Sequence, residues 1–139
     1  MSDPFNLKRF VEAQDSVYAR VLGELRRGQK SGHWMWFVFP QLRGLGHSPM
    51  ADEYGISSNA EAVAYLEHPI LGPRLLECTE IVNQLLGRHI EEIFGFPDYL
   101  KFRSSMTLFD HSASKTDIFK AALEKYFDGQ HDPLTTDLL

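Results

Sequence analysis

Cysteine is almost missing from this chain: one of its 139 residues, Cys78, carries a thiol. No intrachain disulfide can form, which suits a reducing compartment, and a single thiol among scattered histidines excludes the common zinc-ligand spacings. No HExxH motif is present, so neither a metal nor an organic cofactor is implied. No apolar run approaches the roughly 20 residues that a membrane-spanning helix needs. The opening MSDPFNLKRF also lacks the apolar core of a signal peptide, so a cytoplasmic location is expected. Charge of one sign is nowhere concentrated. The chain has 14 Lys and Arg against 19 Asp and Glu, a formal net charge of −5. Its basic residues are dispersed apart from pairs such as Arg26-Arg27, which gives nucleic-acid binding little electrostatic support. Linker-like composition, low-complexity tracts and internal repeats are likewise absent. Residues 1–139 therefore read as one domain, long enough to bury about two-thirds of its unfolded surface.

Period-two alternation of useful length is missing too, and what the chain has instead is helix punctuation. Asp3 and Pro4 open a segment whose Leu7, Phe10 and Val11 share a face. A second segment restarts at Asp15, buries Val17, Tyr18, Val21, Leu22 and Leu25, and meets Gly28 where a left-handed residue is wanted. Ser58 and Glu61 form a capping box. A long apolar-faced segment runs from Pro69 to Gly87, a short turn follows at IEEIFG, another helix starts near Pro97, and a last one runs from Ser114 to Gly129. Residues 130–139 are weakly patterned, although Leu134, Leu138 and Leu139 offer apolar contacts. The expectation is an all-α domain of about six or seven helices, stacked largely antiparallel, with one long glycine-containing loop.

The stretch SGHWMWFVFPQLRGLG, residues 31–46, stands apart. By periodicity its apolar run fits a buried strand, but a solitary strand would leave its backbone groups unpaired. With no second strand available, residues 32–39 are read as a short buried helix capped by Ser31. This stretch and its continuation to Ile56, together with AYLEHPILGPRLLE and FGFPDYLKFRSSMTLF, resemble an uncharacterised family of small bacterial proteins, a domain of unknown function. That family sometimes carries the automatic label calpastatin. An inhibitor of that kind works through disordered repeats, whereas this chain has capped helices and abundant aromatics, so the label has no weight. The resemblance covers nearly the whole chain and implies a mainly helical single domain. It brings no catalytic residues with it.

Two constellations offer chemistry. In the first, His33, Trp34 and Trp36 form an aromatic wall, and Gln41, Arg43, Ser48 and Tyr54 form a polar rim on a loop of about fifteen residues, long for a compact domain. Such a site would take a planar or nucleotide-like anion, with Arg43 on its charge and His33 as donor or acid–base group. The competing reading is a tryptophan-rich core beneath a closed loop. In the second constellation Lys101 precedes Ser104 and Ser105 on a helix and would assist their deprotonation. Mid-helix hydroxyls, however, are commonly bonded to the carbonyl four residues back. Two functional classes follow: a small-molecule-binding domain, with or without catalysis, and a non-enzymatic module that binds another protein. A cavity of several hundred Å3 at the aromatic wall would favour the first. A flat patch with those residues fully packed would favour the second.

Overall fold

The computed structural model describes residues 2–139, which form ten helices. In chain order these are α1 (Lys8–Asp15), α2 (Tyr18–Arg27), α3 (Met35–Val38), α4 (Pro49–Glu53), α5 (Asn59–Glu67), α6 (Leu71–Gln84), α7 (Ile90–Phe94), α8 (Asp98–Ser112), α9 (Ile118–Phe127) and α10 (Pro133–Leu138). The all-α class holds, and the helix count exceeds the six or seven expected. Single-turn helices account for the excess: α4 lies within the stretch read as a loop and α10 within the weakly patterned tail. Among the described residues no strand forms, and only an isolated parallel bridge joins Leu42 and Ile56.

The organising element is α8. Phe102 and the six consecutive residues from Ser104 to Phe109 are buried, a pattern that places a helix at the centre of a fold. It packs against α3, α5, α7, α9 and α10. Its buried hydroxyls are small enough to admit those neighbours, and two of them bond back onto the helix itself. Thr107 Oγ1 donates to the Arg103 carbonyl (2.8 Å), and Ser104 Oγ shares its single proton between the Leu100 carbonyl (3.1 Å) and Asp132 Oδ2 (2.8 Å).

Two sequence signals act as expected. Gly28 closes α2 at φ 71°, and Ser58 accepts from Glu61 N. Asp3 and Pro4 do not open α1 as expected: the helix begins at Lys8 with Leu7 at its N-cap, and Asp3 accepts from the Leu7 and Lys8 backbone N–H groups from a turn ahead of it. Ser31 does not cap α3. That helix spans only Met35–Val38 without a side-chain cap, and the Ser31 backbone N–H is drawn instead to Glu24. The tail is fastened by polar groups rather than by its leucines. Asp132 Oδ2 accepts from Ser104 Oγ (2.8 Å) and Thr135 Oγ1 (2.6 Å), while Asp132 N donates to Thr107 Oγ1 (2.9 Å). Leu134 and Leu138 remain 65% and 58% exposed.

The α5–α6 junction carries a sharp constraint. Gly72 is buried in the first turn of α6, where an added Cβ would collide with the Leu66 backbone carbonyl. By helix propensity alone Gly→Ala is favourable by about 1 kcal/mol. Here we expect Gly72→Ala to destabilise the fold by about 2 kcal/mol, because overpacking against backbone cannot be relieved by a rotamer change. Urea denaturation of the variant checks the sign.

Candidate functional site

The aromatic stretch is positioned by a buried carboxylate. After Gly28 the chain doubles back along α2, and Glu24, 1% exposed, gathers the returning segment. Its Oε1 accepts from Ser31 N (2.7 Å), Gly32 N (2.9 Å) and Trp34 Nε1 (3.0 Å). Burial pushes the Glu24 pKa upward, but the hydrogen bonds outweigh it and hold the carboxyl below the usual glutamate value. Gly32 is required by the closeness of the approach, since a Cβ there would lie 2.8 Å from the Trp34 ring. Trp34 is therefore core, 2% exposed.

Trp36 is placed differently. It is half-buried, and Lys101 Nζ from the first turn of α8 sits 4.8 Å from its ring centroid. Asp98 ties this arrangement together, 3.5 Å from Lys101 Nζ and 2.8 Å from Lys30 Nζ. Lys30 in turn lies 5.1 Å from the Trp34 ring. Beside Trp36 a notch is lined by Gln41, Tyr54, Leu42, Gly46, Ala51 and Gly55, with a cavity volume of about 10 Å3. That is room for one water, so the cavity of several hundred Å3 expected of an enclosed small-molecule site at the aromatic wall is not formed, and any ligand there would lie on an open surface. The Tyr54 ring closes the floor of the notch, packed 5.7 Å from Phe10 and 5.4 Å from Phe37.

The other sequence candidates are engaged elsewhere. The 41–56 stretch is not an open loop. Arg43 N donates to Ile56 O and Ile56 N to Gln41 O, both at 2.8 Å, and α4 fills the segment between. Ser48 caps α4 by accepting from Ala51 N (3.1 Å). The exposed Arg43 turns back onto the carbonyls of Asp52 (3.3 Å) and Gly55 (3.2 Å). His33 is exposed. Lys101 and Ser104 face different partners, Trp36 and Asp132, so the lysine does not serve the hydroxyl. Ser105 is fully buried, and among the described residues its hydroxyl has no hydrogen-bond partner. Cys78 is the buried small residue the sequence suggests, its thiol pushed up to about 12 by burial. Among the described residues no group of three His, Cys, Asp or Glu is placed to hold a metal ion, and no helix is long and apolar enough to cross a membrane.

Comparison with known proteins settles the family. Residues 4–139 match the family described as a protein of unknown function, DUF1810. The chain belongs to the DUF1810 family. The crystal structure of the conserved hypothetical protein Rv1873 from Mycobacterium tuberculosis is similar at 63% sequence identity and a TM-score of 0.97, over 99% of this chain and 98% of that one. No curated protein matches the chain. DUF1810 membership thus fixes the fold and assigns no reaction.

The residues that matter most in this DUF1810 domain and were missed in the sequence are polar groups lying on apolar stripes. Glu24 falls between Val21 and Leu25 on the buried face of α2, a position where an unpaired carboxylate would be costly. Gln14 falls four residues after Phe10 on α1, buried. It donates to Phe37 O (2.6 Å) and Tyr65 Oη (3.1 Å), and its carbonyl oxygen accepts from Arg74 (3.3 Å). Arg9 reaches Glu61 (2.9 Å) and the carbonyls of Glu53 and Gly55. A polar residue at a core-facing spacing was the available signal for Gln14 and Glu24.

Proposed function

We propose that this domain binds a small planar anion against the indole of Trp36, with Lys101 as counter-charge and Gln41 and Tyr54 at the foot of the site. The observation that carries this reading is the Lys101–Trp36 pair, a cation lying over a half-buried indole that also lines the notch with Gln41 and Tyr54. A planar anion entering between them exchanges a cation–π contact for ring stacking plus a charge-assisted bond. Arg43 is committed to loop carbonyls, so the charge role passes to Lys101. His33, exposed three residues before Trp36, supplies a further donor or acceptor. Binding is favoured over catalysis because Ser104 is already bonded and Ser105 is buried.

Tryptophan fluorescence provides the test, since Trp34 contributes a buried, constant background. Titration with nucleoside monophosphates and small aromatic acids is expected to change the emission. Trp36→Phe should abolish that change, and Lys101→Met should weaken binding about tenfold, the value of one charge-assisted bond of about 1.5 kcal/mol. An unresponsive wild-type protein across the panel would end this reading. A protein-interaction module is the second reading, and Phe96 favours it: the side chain is 78% exposed, 6.2 Å from the Tyr99 ring. Phe96→Ser would abolish association with a partner while leaving the titration unchanged.

A further inference from the structure

A second space in the molecule is of ligand size. Between α5, α6 and the segment 112–116 lies a groove of about 430 Å3, sharing no residue with the Trp36 notch. Small-molecule sites span about 300–1,000 Å3. The gap has a local cause. α8 ends at Ser112, Ala113 continues in extended conformation (φ −81°, ψ 135°), and α9 begins only at Ile118. The connection therefore stands off from α5 and α6, leaving Val63, Leu66 and Leu76 half-buried as an apolar floor.

Two exposed charges of opposite sign also line the groove, Glu67 at the end of α5 and Lys115 in the connection. Among the described residues neither forms an ion pair, with each other or with any third group. Of the hydroxyls at its edge, Ser112 donates to Asn59 Oδ1 (2.6 Å), while Thr116 accepts from Ile118 N (3.2 Å) and, like Ser114, keeps its proton to donate. Each ligand class leaves a different remainder here. A fatty acid or other simple anion would satisfy Lys115 and leave Glu67 facing it unpaired. A nucleotide would meet one lysine and one repelling carboxylate. A molecule with an aliphatic body, one ammonium and one carboxylate matches all three features together.

We infer that this groove binds a small aliphatic zwitterion, a free amino acid or a short peptide, with its side chain on Val63, Leu66 and Leu76, its ammonium at Glu67 and its carboxylate at Lys115. The test is calorimetric titration of the full chain with leucine and with Leu-Leu, which separates the two sources, alongside N-acetyl-leucine and leucine amide. Each capped analogue is expected to bind at least about tenfold more weakly, one charge-assisted contact being lost. Glu67→Gln should erase the discrimination against the acetylated analogue only, and Lys115→Met that against the amide only. Both side chains are exposed, so unchanged thermal melting of these variants keeps the comparison clean. Val63→Trp, which fills the groove, should abolish binding, whereas Trp36→Phe should leave it unaltered. Absence of heat from both leucine and Leu-Leu at millimolar concentration overturns the inference, as does equal binding of capped and uncapped ligands.

Discussion

Phe39→Ala is expected to destabilise the domain by about 3–5 kcal/mol, and Trp36→Ala, three residues earlier, by no more than about 2. The difference follows from where the two rings stand. Phe39 is 0% exposed, with Trp34 6.2 Å away and tilted, and Phe94 and Phe102 at 5.8 and 5.1 Å, both edge-on at 88°. Removing the ring forfeits its transfer energy, of order 2–3 kcal/mol for a fully buried aromatic. It also leaves a hole among three large rings carried by different elements, which cannot all collapse into it. Trp36 is half-buried and contacts Lys101 on one side. Its truncation loses part of its area and a cation–π contact of about 0.5–1 kcal/mol, without opening an enclosed cavity. Denaturant unfolding of both variants measures the gap. Equal costs would place Trp36 in the core and remove the surface on which the proposed anion site depends.

The contrast between Trp34 and Trp36 marks the limit of what the sequence offers. Capping residues at Gly28 and Ser58 act through groups close in the chain, so local pattern suffices to read them. A segment apolar on nearly every side gives periodicity nothing to orient, and residues 34–39 could turn either indole outward. The orientation is set by Glu24, ten residues upstream, and by Lys101, sixty-five residues downstream. Lys101 also shows how spacing misleads. It shares a helical face with Ser104 by i, i+3, yet α8 is surrounded, and adjacent turns meet Trp36 and α10 respectively. Of the predicted rim, Gln41 and Tyr54 line the same notch as Trp36, whereas Arg43 and Ser48 are consumed in closing the 41–56 segment. Single-turn helices such as α4 and α10 escape a periodicity that needs two turns to register. The groove beside α5 is invisible for another reason: it exists because the 113–117 connection fails to cover Val63, Leu66 and Leu76.

Glu24→Ala is the second large effect, expected at about 2–4 kcal/mol. One carboxylate oxygen serves three donors, and an unsatisfied buried donor costs about 1–3 kcal/mol. The sum is less than three full penalties because Ser31 is exposed and Gly32 half-exposed, so water can reach their amides. The indole N–H of Trp34 has no such recourse. Glu24→Gln keeps a carbonyl acceptor and should cost less at neutral pH, and it isolates the charge. The folded-state carboxyl titrates below its unfolded value of about 4.3. Its charge therefore adds stability that is fully present above that pH and is lost as the pH falls through the lower folded value. Measured from neutrality down through that window, wild-type stability should converge on that of Glu24→Gln. A gap between the two that stays constant on acidification would mean that the carboxylate acts through its shape alone. The 28–34 return, and with it the placement of both indoles, would then rest on packing rather than on this buried charge.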